Sequence, residues 1–146
     1  MDKNKKHWLE SARYIEKEIE SLRCEQSRLI SKGLVSSPPS LYKYYLTQPS
    51  GNSMEWRNIE YIGHTELIEE RIRDLLELKK DIHRAISAVP ESAYRILLIE
   101  HYVNGKDLLS ISTILGYSYD HVVKDIHPAA VGAITVPEKY KNNDRG

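Results

Sequence analysis

The chain has 146 residues, with 21 Lys+Arg against 21 Asp+Glu, six His, one Cys, ten Tyr, two Trp and no Phe. That length fits one domain, or a small domain with a helical extension. Balanced charge excludes a uniformly basic nucleic-acid binder, a single cysteine excludes an internal disulfide framework or a cysteine zinc set, and no apolar run approaches the ~18 residues of a membrane span.

Residues 4–32 read as one long helix. Trp8, Ala12, Ile15, Ile19, Leu22, Gln26 and Leu29 recur at alternating spacings of four and three, a heptad seam with one polar interruption at Gln26. At ~1.5 Å per residue such a helix is about 40 Å long. It cannot bury its stripe alone, so a partner helix is required. Gly33 is a stop signal. The N-terminal M-D-K-N-K-K-H-W has positive charge with no apolar run behind it. A signal peptide is therefore not expected, and a cytoplasmic protein without membrane contact is.

Residues 33–64 change character. S-S-P-P-S at 36–40 and Q-P-S-G-N-S at 48–53 are breaker clusters around an extended-looking Leu41–Leu46 stretch, and Trp56, Ile59, Tyr61 and Ile62 add an apolar patch. The expectation is a long connecting loop over 33–64. A second long helix is expected over 65–89, with Thr65 as its cap. Ile68, Ile72, Leu75, Lys79, Ile82, Ile86 and Val89 repeat the four-three spacing, widened by Leu67, Leu76 and Leu78. The two helices match in period. They can fold back as an antiparallel hairpin or pair with their copies in a homodimer, and the spacing is compatible with both.

Val89-Pro90-Glu91 breaks the second helix and starts another, since proline is tolerated in a first turn. Ala93, Ile96, Leu97, Ile99 and Tyr102 give it an apolar face, and Asn104-Gly105 ends it. The run G-K-D-L-L-S-I-S-T-I-L-G-Y-S-Y-D-H-V-V-K-D-I-H at 105–127 then reads as two short helices around a turn. Leu108, Ile111 and Leu115 keep helical spacing, Gly116 suits a positive-φ position past a helix end, Ser118 suits an N-cap, and Val122 and Ile126 resume the period. Small Ser112 lets the second helix approach. This is the logic of a helix-turn-helix, whose second helix enters the major groove of double-stranded DNA. Pro128 is expected to stop that helix, Ala129–Ile134 to close the small core, and the polar end from Val136 to fray.

The fold class expected is all-α: a helical hairpin or coiled coil over 1–89, a helix-turn-helix domain over 90–134 and a flexible tail over 135–146. Candidate DNA-binding residues are Tyr119, Asp120, His121 and Lys124, with Ser118 near phosphate. Residues 90–146 hold six Lys/Arg and seven Asp/Glu, a poor balance for neutralising phosphates. The cations of the first helix, at 3, 5, 6, 13, 17, 23, 28 and 32, help only if that helix lies near the duplex. Catalysis is not expected. The histidines at 7, 64, 83, 101, 121 and 127 lack zinc-protease spacing, no Gly-rich phosphate loop occurs, and no nucleophile context is visible. No metal or cofactor is expected.

The segment from Val89 to about Val131 resembles region 4 of bacterial sigma factors. The residues that carry it are Tyr94-Arg95-x-Leu97-Leu98, Tyr102-Val103-x-Gly105, Ile111-Ser112-x-x-Leu115-Gly116-x-Ser118 and a following Val. The whole layout is similar to the ArpU-like regulators of phages and prophages, through H-Y-V-N-G-K at 101–106, I-S-T-I-L-G-Y-S at 111–118, His121-Val122 and Ile126-His127-x-x-Ala130. The resemblance implies a DNA-binding transcriptional regulator, with RNA polymerase as a further partner. The chain departs from the pattern at Ser110 and Ser112, where the family has an acidic residue and an alanine, and at Leu108, where it often has tryptophan. It is also one residue longer after Ser118, with Val122 and Ile126 four apart where the family has three. The alternative is a structural or adaptor protein that binds a protein partner through its heptad stripes.

Overall fold

The computed structural model describes residues 1–31 and 53–141, with side chains in the second stretch described from residue 62 onward. The described residues are all-α. The elements are α1 (Lys3–Ser31), α2 (Ser53–Ser87), α3 (Ser92–Leu98) continued by a π-helical turn π1 (Ile99–Val103), α4 (Leu108–Leu115), α5 (Tyr119–His121) continued by a second π turn π2 (Val122–Ile126) and by α6 (His127–Gly132), and a short α7 (Glu138–Lys141). None of the described helices is long and apolar enough to cross a membrane. Gly33, the breaker clusters up to residue 52 and Leu41–Leu46 lie outside the described residues.

The expected loop over 33–64 is corrected at its C-terminal end. The second long helix begins at Ser53, twelve residues before Thr65, so Thr65 is interior and not a cap. Gly63 lowers helix propensity by roughly 1 kcal/mol relative to Ala. Burial of Ile62 and Ile68 on either side offsets that cost.

The chain divides into two compact units, Lys17–Leu76 and Met1–Glu16 with Glu77–Gly146. Within Lys17–Leu76, Leu29, Ile68 and Ile72 form a buried cluster with Ile19 and Leu22 packed against it. Glu18 pairs with Arg71 and Arg23 with Glu69, so partner numbers fall as the first strand of the pairing rises: the two helices run antiparallel here. Gln26, the polar break in the first seam, donates to Glu69 Oε1 at 2.8 Å, and that bond and Arg23 hold the Glu69 carboxyl below its usual range. The two helices therefore pair within the chain here, covering Leu29, Ile68 and Ile72, while Leu67 and Leu76 of the second stripe stay exposed.

In the other unit, α1 contributes Trp8, Leu9, Ala12 and Ile15 to a core shared with Ile82, Ile86 and Val89 of the second long helix and its end. Lys79, the polar break in the second seam, ion-pairs with Glu16. Leu97, Leu98, Tyr102, Ile111, Val122, Ala130, Val131 and Ile134 complete the core. The unit that holds the helix-turn-helix thus also includes Met1–Glu16 and the end of the second long helix from Glu77.

Two expectations about the C-terminal end are corrected. Pro128 does not stop the helix: it sits in the first turn of α6, and the backbone stays helical to Gly132. An interior proline ordinarily clashes with the carbonyl four residues back. Here that carbonyl lies in π2, whose wider turn opens room for the pyrrolidine ring. Nor does the chain fray from Val136. Tyr140 Oη donates to Asp81 Oδ2 at 2.6 Å and Lys139 Nζ reaches the same oxygen at 2.5 Å, tying α7 to the second long helix. These two partners hold the Asp81 carboxyl below its usual range. Residues 142–146 lie outside the described residues.

Candidate nucleic-acid interface

Local chemistry builds the helix-turn-helix from three caps. Gly105, at φ +74°, turns the chain after π1, and Lys106 closes the turn by pairing with Glu100 at 2.6 Å. Asp107 caps α4, its carboxylate accepting from Ser110 N at 2.8 Å. Gly116 ends α4 in the left-handed region (φ 74°, ψ 23°), and the amides of Gly116 and Tyr117 both donate to the Ser112 carbonyl. Space is not what requires glycine there, since a Cβ would meet nothing within 4 Å; the backbone angle is. Ser112 is buried, its hydroxyl donating to the Leu109 carbonyl at 2.6 Å, and α4 packs on π2 beside it.

Ser118 then caps α5. Its Oγ accepts from His121 N at 3.2 Å. That bond uses a lone pair and leaves the hydroxyl proton free to donate outward. Tyr119, Asp120, His121 and Lys124 are all exposed, Tyr119 at 50 %. All five candidate residues therefore lie on one solvent-facing end of one helix.

Their electrostatics were not legible beforehand. Lys124 Nζ donates to Asp120 Oδ2 at 2.9 Å, and His121 Nδ1 lies 2.8 Å from Asp125 Oδ2, each a pair one helical turn apart. The fixed positive charge of the segment is thus matched on its own helix. Tyr117, which the sequence reading did not select, is 44 % exposed and sets its ring edge-on to His121 at 5.3 Å. Its spacing of four from His121 is the signal that was available. Of the first helix's cations, Lys5 Nζ donates to the Gly132 carbonyl at 2.9 Å and Arg13 Nη2 lies 3.3 Å from His101 Nε2. These bring positive charge into the unit that carries the candidate face. Arg23 and Arg28 are engaged with Glu69 and Glu25 in the other unit, and Lys32 lies outside the described residues.

The backbone widens after α5. His127 N donates to the Val122 carbonyl five residues back, so this turn holds one residue more than an α turn. The core positions shift accordingly: Val122 and His127 are buried and Ile126 is only half-buried, where four-residue spacing expects Ile126 inside. His127 is accommodated by a polar partner. Tyr102 Oη, in π1, donates to His127 Nε2 at 2.6 Å. Burial pushes the Tyr102 phenol up to about 12 and pulls His127 down to about 4, the latter helped by the positive fields of Lys6 and Arg13. His127 is therefore neutral and the phenol is the donor. His101 stacks edge-on against both rings and donates Nδ1–H to the Lys106 carbonyl at 2.7 Å. One buried hydrogen bond so joins π1 to the start of α6, just past π2.

Among the described residues no group of three or more His, Cys, Asp or Glu side chains is placed to hold a metal ion. No family model, curated protein or solved structure matches the chain.

Proposed function

We propose that this protein is a DNA-binding transcriptional regulator of a phage or prophage, similar in kind to the ArpU-like regulators. In this reading α5 and π2 enter the major groove and present Ser118, Tyr119, Asp120, His121 and Lys124. The protein works in the cytoplasm without a cofactor and performs no catalysis. Homodimerisation, and contact with RNA polymerase, belong to the same proposal. The observation that carries it is the Gly116–Ser118 elbow, which leaves the first turns of the following helix facing solvent. The early residues of the second helix are the ones that reach base edges in this motif.

Binding must first open the Asp120–Lys124 pair. An exposed i,i+4 pair holds only about 0.3–0.5 kcal/mol, so a phosphate competes readily for Lys124. Affinity remains modest and steeply salt-dependent, because few fixed cations lie on the helix itself. The test is selection of bound duplexes from a random pool at defined ionic strength. A preferred site is expected; recovery of no sequence above the starting pool rejects the reading. Lys124→Ala weakens binding to all sequences alike, whereas Tyr119→Ala and His121→Ala change the preferred bases.

A second reading is favoured by the self-neutralised charge of this helix and by the exposed apolar side chains Leu109 and Ile114 on α4. In it the chain is an adaptor that binds a protein partner. Ile15, Ile72 and Leu75 of the heptad stripes are buried within the chain, whereas Leu67 and Leu76 of the second stripe are exposed. Leu109→Ser then abolishes partner capture while Lys124→Ala leaves it intact.

A further inference from the structure

Among the described residues, the unit formed by both chain ends contains a cavity of about 620 Å³. That is within the roughly 300–1,000 Å³ range of small-molecule sites. Two of its walls are aromatic: Trp8 of α1 and Tyr140 of α7, ring centroids 5.6 Å apart and tilted by 44°. Leu78, Ile134 and Val136 add apolar surface, and Lys5 and Lys141 lie at its edge.

The hydrogen-bond inventory of these walls is unbalanced in one direction. Among the described residues the Trp8 indole N–H is buried without an acceptor, and Trp8 as a whole is 7 % exposed. Indole nitrogen can only donate, and a buried donor left unpaired is costly, so such a group calls for an acceptor. Lys5 engages a single backbone carbonyl and its ammonium has donors to spare. Lys141 pairs with Glu138, an exposed pair that a ligand anion displaces at little cost. The one carboxylate in the lining, Asp2, accepts from the amides of Asn4 and Lys5 through Oδ1 at the start of α1, and its single charge is outnumbered by Lys5 and Lys141. The cavity therefore offers donors and positive charge beside flat apolar walls.

We propose that this cavity binds a small planar aromatic carboxylate, its ring against Trp8 and Tyr140 and its oxygens taken by Lys5, Lys141 and the Trp8 indole N–H. The Gly132 carbonyl that Lys5 holds closes the helical run that begins at Tyr119. A carboxylate drawing on Lys5 thus acts on the far end of the helix that carries the candidate face. The binding claim is independent of the DNA reading, because it is measured on the protein alone.

The experiment follows the indole N–H resonances of the full chain by nitrogen–proton NMR, with Trp56→Phe assigning the Trp8 peak. Benzoate is the probe, with benzyl alcohol as the ring without charge and acetate as the charge without ring. Benzoate is expected to shift the Trp8 indole peak saturably, and the two controls far less. Lys5→Met and Lys141→Met are each expected to weaken benzoate roughly tenfold or more, as loss of a charge-assisted bond does, with the rest of the spectrum preserved. Trp8→Phe, which keeps a ring and removes the donor, weakens it by a similar factor, read on the Tyr140 ring protons. Absence of a saturable shift into the millimolar range overturns the proposal. So do equal shifts from benzoate and benzyl alcohol, or benzoate affinity unchanged in both lysine variants.

Discussion

The two compact units are held together by different chemistry. In Lys17–Leu76, regularly spaced aliphatic side chains meet in an antiparallel seam, and its polar positions are settled at the surface by Glu18–Arg71 and Arg23–Glu69. The unit with the chain ends has aliphatic layers too, but its helices are interrupted: two π turns, two glycines at φ +74° and a buried Tyr102–His127 hydrogen bond. A periodic seam repeats one solution. The interrupted core fixes a single arrangement, because each irregular turn requires its own partner, and a helix aimed at solvent needs that definition more than a spacer does.

Substitutions at four positions break or sharpen the contrast. The largest effect is expected from Ile111→Ala, which empties a fully buried position of α4. It should cost about 2–5 kcal/mol, read as a lower denaturation midpoint.

Next comes pH. The His127 pKa falls from its ordinary 6.5 to about 4 in the folded chain. Between those values the unfolded chain binds a proton that the folded chain does not, so stability declines as pH falls from about 6.5 toward 4 and levels off below. Up to about 3 kcal/mol is involved. His101 shifts in the same direction, also by burial. His127→Gln should flatten this limb of a stability-against-pH curve relative to the parent. The carboxylates held low, Asp81 and Glu69, act in both proteins and cancel in the difference. An unchanged limb would place the lost stability elsewhere.

Gly116→Ala should cost about 1–2 kcal/mol, all of it from the left-handed backbone angle, since the added methyl has room. Gly116→Asn should cost less, and thermal melts distinguish the two. The smallest effect belongs to the seam: Arg71→Ala removes an exposed pair and should cost less than about 1 kcal/mol, fading as salt is raised.

What could be read from the amino-acid order follows the same division. The heptad residues of both long helices, Trp8, Ile15, Leu29, Ile72 and Ile86 among them, keep the four-three spacing in either unit, and these five are buried. Gly116 and Ser118 were legible because each cap has one chemistry. The π turns were not. A five-residue bond matches neither helical nor strand spacing, so Ile126 seemed the core residue and His127 a bystander. Pro128 read as a stop because the widened turn before it has no sequence signature. Tyr140 looked like tail because its partner, Asp81, is 59 positions away. For the candidate face, exposure was foreseeable, but the pairing of Lys124 with Asp120 and of His121 with Asp125 depends on rotamers that the order of residues leaves open.

The π2 turn has one more consequence. In an ordinary helix each residue advances the chain by about 100°, so absorbing an inserted residue regularly would swing everything upstream by that angle. The wider turn of π2 takes up such a residue locally instead, and Val122 and His127 are both buried although five positions separate them. Shortening Val122–Ile126 by one residue should then restore a plain α turn with the exposed tip aimed as before.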